Sequence, residues 1–145
     1  MASALREIAS ADVMYNAAVA RRLGISPIDL RCLSFVDEHG SATPGDLARW
    51  SGLTSGAITG VVNRLERIGV LRRENDPRDA RRVRLVPATA QRDRIETLMR
   101  PIGQQLTAAA ERLTDDQREA LTLFVKEAAE ITWAEARRVA ALPPE

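Results

Sequence analysis

The side chains with the clearest chemistry in this sequence are arginines, and eight of them crowd one short stretch. Together with four acidic residues they give residues 64–84 a local charge of +4, whereas the whole 145-residue chain carries +1. The eight are Arg64, Arg67, Arg72, Arg73, Arg78, Arg81, Arg82 and Arg84. Guanidinium groups bind phosphates and base edges through fixed pairs of N–H donors. A basic stretch in a nearly neutral chain therefore predicts one polyanion-binding face.

A run of small residues lies just before the arginines and has the pattern of a helix that could enter a major groove. Its outward positions are predicted to be Ser55, Gly56, Ala57, Thr59, Gly60, Asn63 and Arg64. Small side chains permit close approach, and the hydroxyls of Ser55 and Thr59 can reach bases or phosphates. Ala57 can touch a thymine methyl group, and Arg64 can pair with guanine or a phosphate.

The loop at residues 76–82 is expected to extend over the DNA backbone into the minor groove, where the negative potential attracts arginine. Asp79 lies two residues before Arg81. Its carboxylate can therefore orient the guanidinium of Arg81 while Arg81 contacts DNA. Arg73 and Arg82 are expected to lie near phosphates.

Other kinds of chemistry lack the residues that they need. Cys32 is the only cysteine and His39 the only histidine, so one chain can form neither a disulfide nor a Cys/His metal cage. No nucleophile–base pair or pair of acids stands in a defined setting. The sequence therefore favours binding over catalysis, with no metal and no cofactor.

The hydropathy pattern predicts a cytoplasmic protein. No run of about 18 apolar residues is present, which speaks against a membrane span. The first twelve residues alternate apolar and charged side chains without a continuous apolar core, which speaks against a secretory signal.

Capping and stop signals divide the chain into six predicted helices and two predicted strands. The helices run from Ser3 to Leu23, from a cap at Ser26 to Gly40, from a cap at Thr43 to Ser51, from Ser55 to Gly69, from Thr89 to Leu113, and from a cap at Thr114 to just before Pro143. Pro101 is expected to kink the fifth helix. The strands are predicted at Val70–Glu74 and Arg82–Val86, with a turn signal at residues 75–77.

The expected fold is mostly α with a small β-hairpin wing, that is, a winged helix-turn-helix with terminal dimerisation helices. It is predicted as a single domain over residues 1–145. Residues 1–25 and 114–145 would form the dimerisation helices, residues 26–88 the winged helix-turn-helix, and residues 89–113 a long linking helix. The apolar sides of the terminal helices would be covered by a second copy of the chain.

Four segments of the sequence closely resemble the MarR family of winged helix-turn-helix regulators. They are TPGDLA at residues 43–48, GLTSGAIT at 52–59, VNRLERIGVLRR at 62–73 and DPRDARRV at 76–83. The strongest resemblance covers roughly 40 residues, and the order of the helices extends it to nearly the whole chain. One departure follows the second strand, where Val86 stands in place of the threonine that usually caps the next helix.

The resemblance implies a homodimer that binds double-stranded DNA at a pseudo-palindromic operator, usually as a repressor. Two-fold symmetry would place the two recognition helices in major grooves about 34 Å apart. The resemblance also implies release by a small, often aromatic or anionic, effector that binds between the dimer helices and the winged domain. Tyr15 and Trp50 are candidate effector contacts, although packing in the core or at an interface is favoured for both.

The sequence leaves two alternatives open. The chain could be a winged-helix module for protein interaction, although that function would not explain the basic wing. It could also be a redox-sensing regulator that acts through Cys32, but this cysteine lies in an apolar helical stripe, which favours a buried structural thiol. His39 is expected at a helix end, and Trp133 is expected to pack on the last helix or at the dimer contact.

Overall fold

The structure, a computed structural model, describes residues 1–77 and 79–143, so the predicted wing residue Arg78 lies outside the described residues. It is mostly helical with one antiparallel hairpin, which confirms the predicted fold class. The elements are α1 (Ala2–Leu23), α2 (Pro27–His39), α3 (Pro44–Ser51), α4 (Ser55–Arg67), β1 (Leu71–Asp76), β2 (Asp79–Pro87), a short 3-10 turn (Thr89–Gln91), α5 (Arg92–Ala110) and α6 (Asp115–Ala140).

Side-chain caps begin four of the six α-helices, three of them at the capping residues that the sequence predicts. Ser26, Thr43 and Thr114 each form a capping box with the residue three positions later, and the Thr54 hydroxyl accepts a hydrogen bond from the Ala57 amide. These bonds satisfy amide groups that have no partner inside the helix. The short polar sequences before these four helices therefore fix where they start.

Tertiary contacts divide the chain into two compact units, residues 1–99 and 100–145, with the boundary inside α5 next to Pro101. In the first unit, α2, α3 and α4 enclose a core with the hairpin. This core contains Cys32, Leu33, Val36, Ala42, Leu47, Ile58, Val61, Val62, Leu65, Val70, Leu71 and Leu85. A smaller cluster of Val19, Ala20, Leu23 and Leu30 packs α1 on α2. Burial of these side chains is the main force holding the winged unit together.

The hairpin is longer than the sequence predicts. β1 starts one residue after the predicted Val70 and runs on to Asp76, past the predicted end at Glu74. β2 runs from Asp79 to Pro87 and so exceeds the predicted Arg82–Val86 at both ends. The polar residues near the turn are depleted in strands, but backbone pairing continues through them, from Leu71 opposite Pro87 to Asp76 opposite Asp79. Ala42 pairs with β2 through an isolated antiparallel β-bridge. Its amide donates to the Leu85 carbonyl at 3.0 Å, and its carbonyl accepts from the Leu85 amide at 2.7 Å.

The junction after the hairpin departs from a capped helix start, as Val86 predicts. A 3-10 turn at Thr89–Gln91 precedes α5, and the residue before it, Ala88, offers no side-chain cap. The observed helix α5, Arg92–Ala110, is shorter at both ends than the helix predicted from Thr89 to Leu113.

The second unit consists of the end of α5 and the whole of α6. Arg118 on α6 donates to the Leu113 carbonyl at 2.6 Å and so satisfies one of the free carbonyl groups after α5. No residue of α6 is buried among those that the structure describes. None of the helices within residues 1–77 and 79–143 is long and apolar enough to cross a membrane.

Candidate nucleic-acid interface

The exposed side of α4 lies opposite its contacts with the core. Ile58, Val61, Val62 and Leu65 are buried against the other helices and the hairpin. The predicted contact residues Ser55, Gly56, Ala57, Thr59 and Asn63 are all exposed. The N-terminal half of α4 therefore offers small side chains and free backbone amides, a combination that suits close approach to a polyanion.

The Thr59 hydroxyl has a defined role in hydrogen bonding. It donates to the backbone carbonyl of Ser55 at 2.9 Å. Its proton is therefore engaged, and the oxygen that remains accessible can only accept a hydrogen bond. Acceptors of this kind recognise the exocyclic amino groups of cytosine and adenine in the major groove.

Arg64 turns away from its predicted outward position and bonds to a carboxylate on α2. Its Nε and Nη2 donate to the two oxygens of Asp29 at 2.9 and 2.7 Å. Asp29 is 0% exposed, whereas the Arg64 side chain is 42% exposed. Although burial, the largest single influence, raises the pKa of Asp29, hydrogen bonds from Arg64 and Ser26 outweigh it, so the pKa is lowered and Asp29 stays ionised.

Gly60 makes room for this ion pair. A Cβ atom at Gly60 would lie 3.3 Å from Nη1 of Arg64, closer than an ordinary contact. Glycine inside a helix costs about 1 kcal/mol relative to alanine, so its presence in α4 calls for a packing reason. The absence of a side chain at Gly60 leaves space for the Arg64 guanidinium, and its predicted role in close approach to DNA stays a prediction.

Arg73 and Asn63 also contact each other instead of projecting freely. Arg73 Nη2 donates to Asn63 Oδ1 at 3.0 Å, and its Nη1 forms an ion pair with Glu66. The backbone amide of Arg73 donates to the other Glu66 oxygen at 3.2 Å. These contacts fasten β1 to the second half of α4. The position of Arg73 near phosphates stays a prediction. In the structure, its side chain also links β1 to α4.

The wing carries a highly exposed arginine, Arg81, beside an aspartate. Asp79 Oδ1 accepts hydrogen bonds from the Arg81 amide at 3.1 Å and from Arg81 Nε at 3.2 Å. This is the arrangement that the spacing of the two residues predicts. The Arg81 side chain is 92% exposed, so a terminal edge of its guanidinium remains available. Arg82 is exposed as well and lies near enough to Asp46 for its charge to be felt there.

The two candidate effector residues have packing partners. Tyr15 donates from its hydroxyl to the Leu98 carbonyl at 2.9 Å and so links α1 to the start of α5. Trp50 packs on the core beside Phe35, with ring centroids 4.8 Å apart. His39 is at the end of α2, where it stacks on Phe35 and bonds to its carbonyl at 2.8 Å. The packing interpretation is therefore favoured for Tyr15 and Trp50, and their contact with an effector stays a prediction.

Two important residues, Asp29 and Glu66, have no role assigned from the sequence beyond helix capping and local charge. A signal for Asp29 did exist, because it precedes the buried residues Leu33 and Val36 by four and seven positions on one helix. A carboxylate at the end of such a stripe predicts a buried acid that needs a cation. No comparable pattern identifies Glu66.

We expect Cys32 to be unreactive in the folded protein. It is fully buried, and burial together with the nearby Asp29 carboxylate raises its pKa to about 11. At pH 8 the reactive thiolate should then be about 100-fold scarcer than in the unfolded chain, so alkylation by iodoacetamide should slow at least as much. Equal alkylation rates for native and urea-unfolded protein, followed by mass spectrometry, would contradict this. Peroxide should likewise leave DNA binding unchanged in the parent and in Cys32→Ser.

Comparisons with known proteins converge on one kind of protein. The model of the MarR family matches residues 23–82. The uncharacterized HTH-type transcriptional regulator YcgE of Bacillus subtilis is 36% identical over 134 residues, which cover 92% of this chain and 87% of the relative. That coverage extends well beyond residues 26–88 at both ends.

Solved structures share the fold at lower identity. A mutant of MepR from a multidrug-resistant S. aureus clinical isolate superposes with a TM-score of 0.73 at 16% identity, covering 91% of this chain and 97% of that one. A mutant of MarR from E. coli, complexed with operator DNA, superposes with a TM-score of 0.58 at 21% identity, covering 88% and 91%. These likenesses concern the fold, in particular the order of its helices around a two-stranded wing.

Proposed function

The chain belongs to the MarR family of transcriptional regulators, and from this premise we propose that it is a sequence-specific repressor that binds its operator as a homodimer and is released by a small ligand. Family membership makes it a DNA-binding regulator and not an enzyme. The observation that carries the proposal is the pairing of an exposed, small-residue helix start with a projecting arginine that a neighbouring carboxylate orients.

In this proposal the two exposed parts of the winged unit read different grooves. The start of α4 enters the major groove, where Ser55 and Thr59 meet base edges and Ala57 and Gly56 allow the approach. Arg81 enters the neighbouring minor groove, and Arg82 lies along the phosphates. Arg64, Arg73 and Asn63 act mainly by holding these parts in place, in contrast to the direct contacts first expected of them.

Exposed apolar side chains support the homodimer. On α1, Leu5, Ile8, Val13 and Met14 are exposed, and on α6 the exposed apolar residues include Leu121, Val125, Ile131 and Val139. Apolar surface of this extent on two helices is costly in water and is covered in stable assemblies. A second copy of the chain is the partner that a two-fold symmetric operator requires.

A cleft in the first unit supports an anionic effector. It lies between the end of α1 and the start of α5, and its lining residues are Arg22, Asp93, Arg94, Thr97 and Leu98. Arg94 is held there by a hydrogen bond to the Arg22 carbonyl at 2.6 Å. Two guanidinium groups in one open cleft suit a carboxylate or a similar small anion. Tyr15 is adjacent through its bond to Leu98.

Selection of duplexes from a randomised pool tests the proposal directly. The wild-type protein should enrich a two-fold symmetric site whose half-sites are about one helical turn apart. Binding to that selected duplex should weaken steeply as salt rises, which a winged-helix module for protein interaction would not show. Failure to enrich any symmetric site at low salt, with no ligand added, would refute the proposed function.

Thr59→Val should change which bases are preferred without abolishing binding. The substitution removes the oxygen that accepts a hydrogen bond but keeps the shape of the side chain. We expect a loss of preference at one symmetry-related pair of base positions, worth about 1–3 kcal/mol. Parallel selections with the parent and the variant measure it.

Thr122→Val is the matched control for this variant. Thr122 is an exposed threonine on α6 whose hydroxyl also donates to the carbonyl four residues earlier, at 2.7 Å. The Thr122→Val substitution removes the same hydroxyl at a position outside the proposed DNA interface. The sequences selected by this variant should therefore equal those selected by the parent. A Thr59→Val selection identical to the parent would remove Thr59 from the reading of bases.

A further inference from the structure

Asp29 bridges two helices through a fully buried carboxylate. Among residues 1–77 and 79–143 it is the only charged residue that is buried. Its Oδ2 accepts from the Ser26 amide at 3.0 Å and from Arg64 Nε at 2.9 Å, and its Oδ1 accepts from Arg64 Nη2 at 2.7 Å. One side chain therefore caps the start of α2 and holds a residue of α4.

The neighbouring capping box shows that capping alone does not require this arrangement. Asp46 closes the box at the start of α3 in the same way, accepting from the Thr43 amide at 2.8 Å. Asp46 is only partly buried, and its arginine partner, Arg49, lies on the same helix. The burial of Asp29 and its partner on a different helix are therefore features beyond helix capping.

The ion pair adds direction to an otherwise apolar contact between α2 and α4. The remaining contacts join Cys32, Leu33 and Val36 to the buried residues of α4. Apolar packing is non-directional, so it tolerates small rotations of one helix on another. Two parallel hydrogen bonds to one guanidinium fix both the distance and the rotation of the groups that they join. Asp29 and Arg64 thus define how α4 is oriented on α2.

We propose that Asp29 is a positioning residue for DNA recognition, which acts through Arg64 to hold the start of α4 at the angle where Ser55 and Thr59 reach base edges. The inference rests on the proposed function. It assigns to Asp29 the discrimination between sequences and not the general attraction to DNA. That attraction comes from exposed arginines such as Arg81, whose contacts do not involve this pair.

The test compares two duplexes, one selected by the wild-type protein from a randomised pool and a scrambled duplex of the same composition. The measured quantity is the Kd for the scrambled duplex divided by the Kd for the selected duplex, taken well below the Tm of each variant. In Asp29→Asn the ratio should fall about tenfold, which corresponds to about 1.4 kcal/mol. The Kd for the scrambled duplex should stay within about twofold of the wild-type value, since phosphate contacts are retained.

Ser26→Ala and Arg64→Lys separate positioning from stability. Ser26→Ala deletes the hydroxyl that accepts from the Asp29 amide at 3.2 Å but leaves the ion pair, so Tm should fall and the ratio should not. Arg64→Lys keeps the charge but cannot form the two parallel bonds, so it should lower the ratio as Asp29→Asn does. Combining Asp29→Asn with Arg64→Lys should lower the ratio no further, because both changes remove the same contact.

Each outcome decides something. A wild-type ratio near one overturns the proposed function and this inference with it. A wild-type protein that discriminates, with Asp29→Asn and Arg64→Lys that discriminate equally well, overturns the inference alone. A loss in Ser26→Ala as large as that in Asp29→Asn also overturns it, because the cause would then be the stability of α2. If Asp29→Asn shows no cooperative unfolding, the ratio of Arg64→Lys decides.

Discussion

Replacing Ile131 by glutamate should leave the protein monomeric and lower its affinity for the selected duplex by at least about 100-fold. Ile131 is 61% exposed and lies among the apolar residues of α6 that we propose a second copy covers. A carboxylate there would lose its water on association without gaining a partner, and a symmetric dimer would suffer this loss twice. Light scattering reports the assembly and duplex titration reports the affinity.

The affinity falls because a monomer engages one half-site. In a dimer, the second half-site is bound from within the same complex and adds to the first. Lys126→Glu is the matched control, since it introduces the same side chain at an exposed position of α6 that helical periodicity places about 140° around the helix from Ile131. That variant should remain dimeric. A dimeric Ile131→Glu protein with wild-type affinity would contradict the proposed role of α6.

Removing the Arg81 guanidinium should weaken binding to every duplex by a similar factor, about 30-fold if each of two wings loses about 1 kcal/mol. Arg81 is 92% exposed and is oriented by Asp79 alone among its described contacts. Minor-groove and phosphate contacts attract the duplex without reading much of its sequence. The slope of log affinity against log salt should also become shallower, by about 0.9 for each arginine lost.

Two further variants make the Arg81→Ala result specific. Arg137→Ala removes an equal charge from an exposed position on α6 and should change neither the affinity nor the salt slope appreciably. Asp79→Asn keeps the arginine but weakens its orientation, so its affinity should lie between those of Arg81→Ala and the parent. An Arg81→Ala protein whose affinity falls for one sequence only would show that Arg81 reads bases.

Local features of the fold follow from the sequence because they depend on neighbouring residues. The capping boxes at Ser26, Thr43 and Thr114 are set by residues three positions apart, and the structure forms all three. The wing pair of Asp79 and Arg81 is local for the same reason. Each of these contacts spans at most one turn of chain, so no knowledge of the tertiary fold is needed to predict it.

Long-range contacts explain what the sequence did not reveal. Asp29 and Arg64 are 35 positions apart, and only the packing of α4 on α2 brings them together. A long arginine side chain at an outward helical position can bend towards a buried partner, and helical periodicity does not report this. The ends of the two strands were misplaced because pairing of the backbone continued where side-chain preference did not favour it. The division of the chain at residues 25, 88 and 113 stays a prediction.

The contacts of Arg73 with Glu66 and Asn63 should hold the start of α4 and the wing tip at a fixed distance from each other. Because β1 is fastened to α4, we expect the wing tip and the helix start to keep one separation. Under the proposed function, DNA would then bind both without a further entropic cost of arranging the second. The same rigidity acts in reverse on release. A tilt that moves the start of α4 away from the DNA also moves the wing away. Both contacts should therefore be lost together, and no complex bound through the wing alone should be populated.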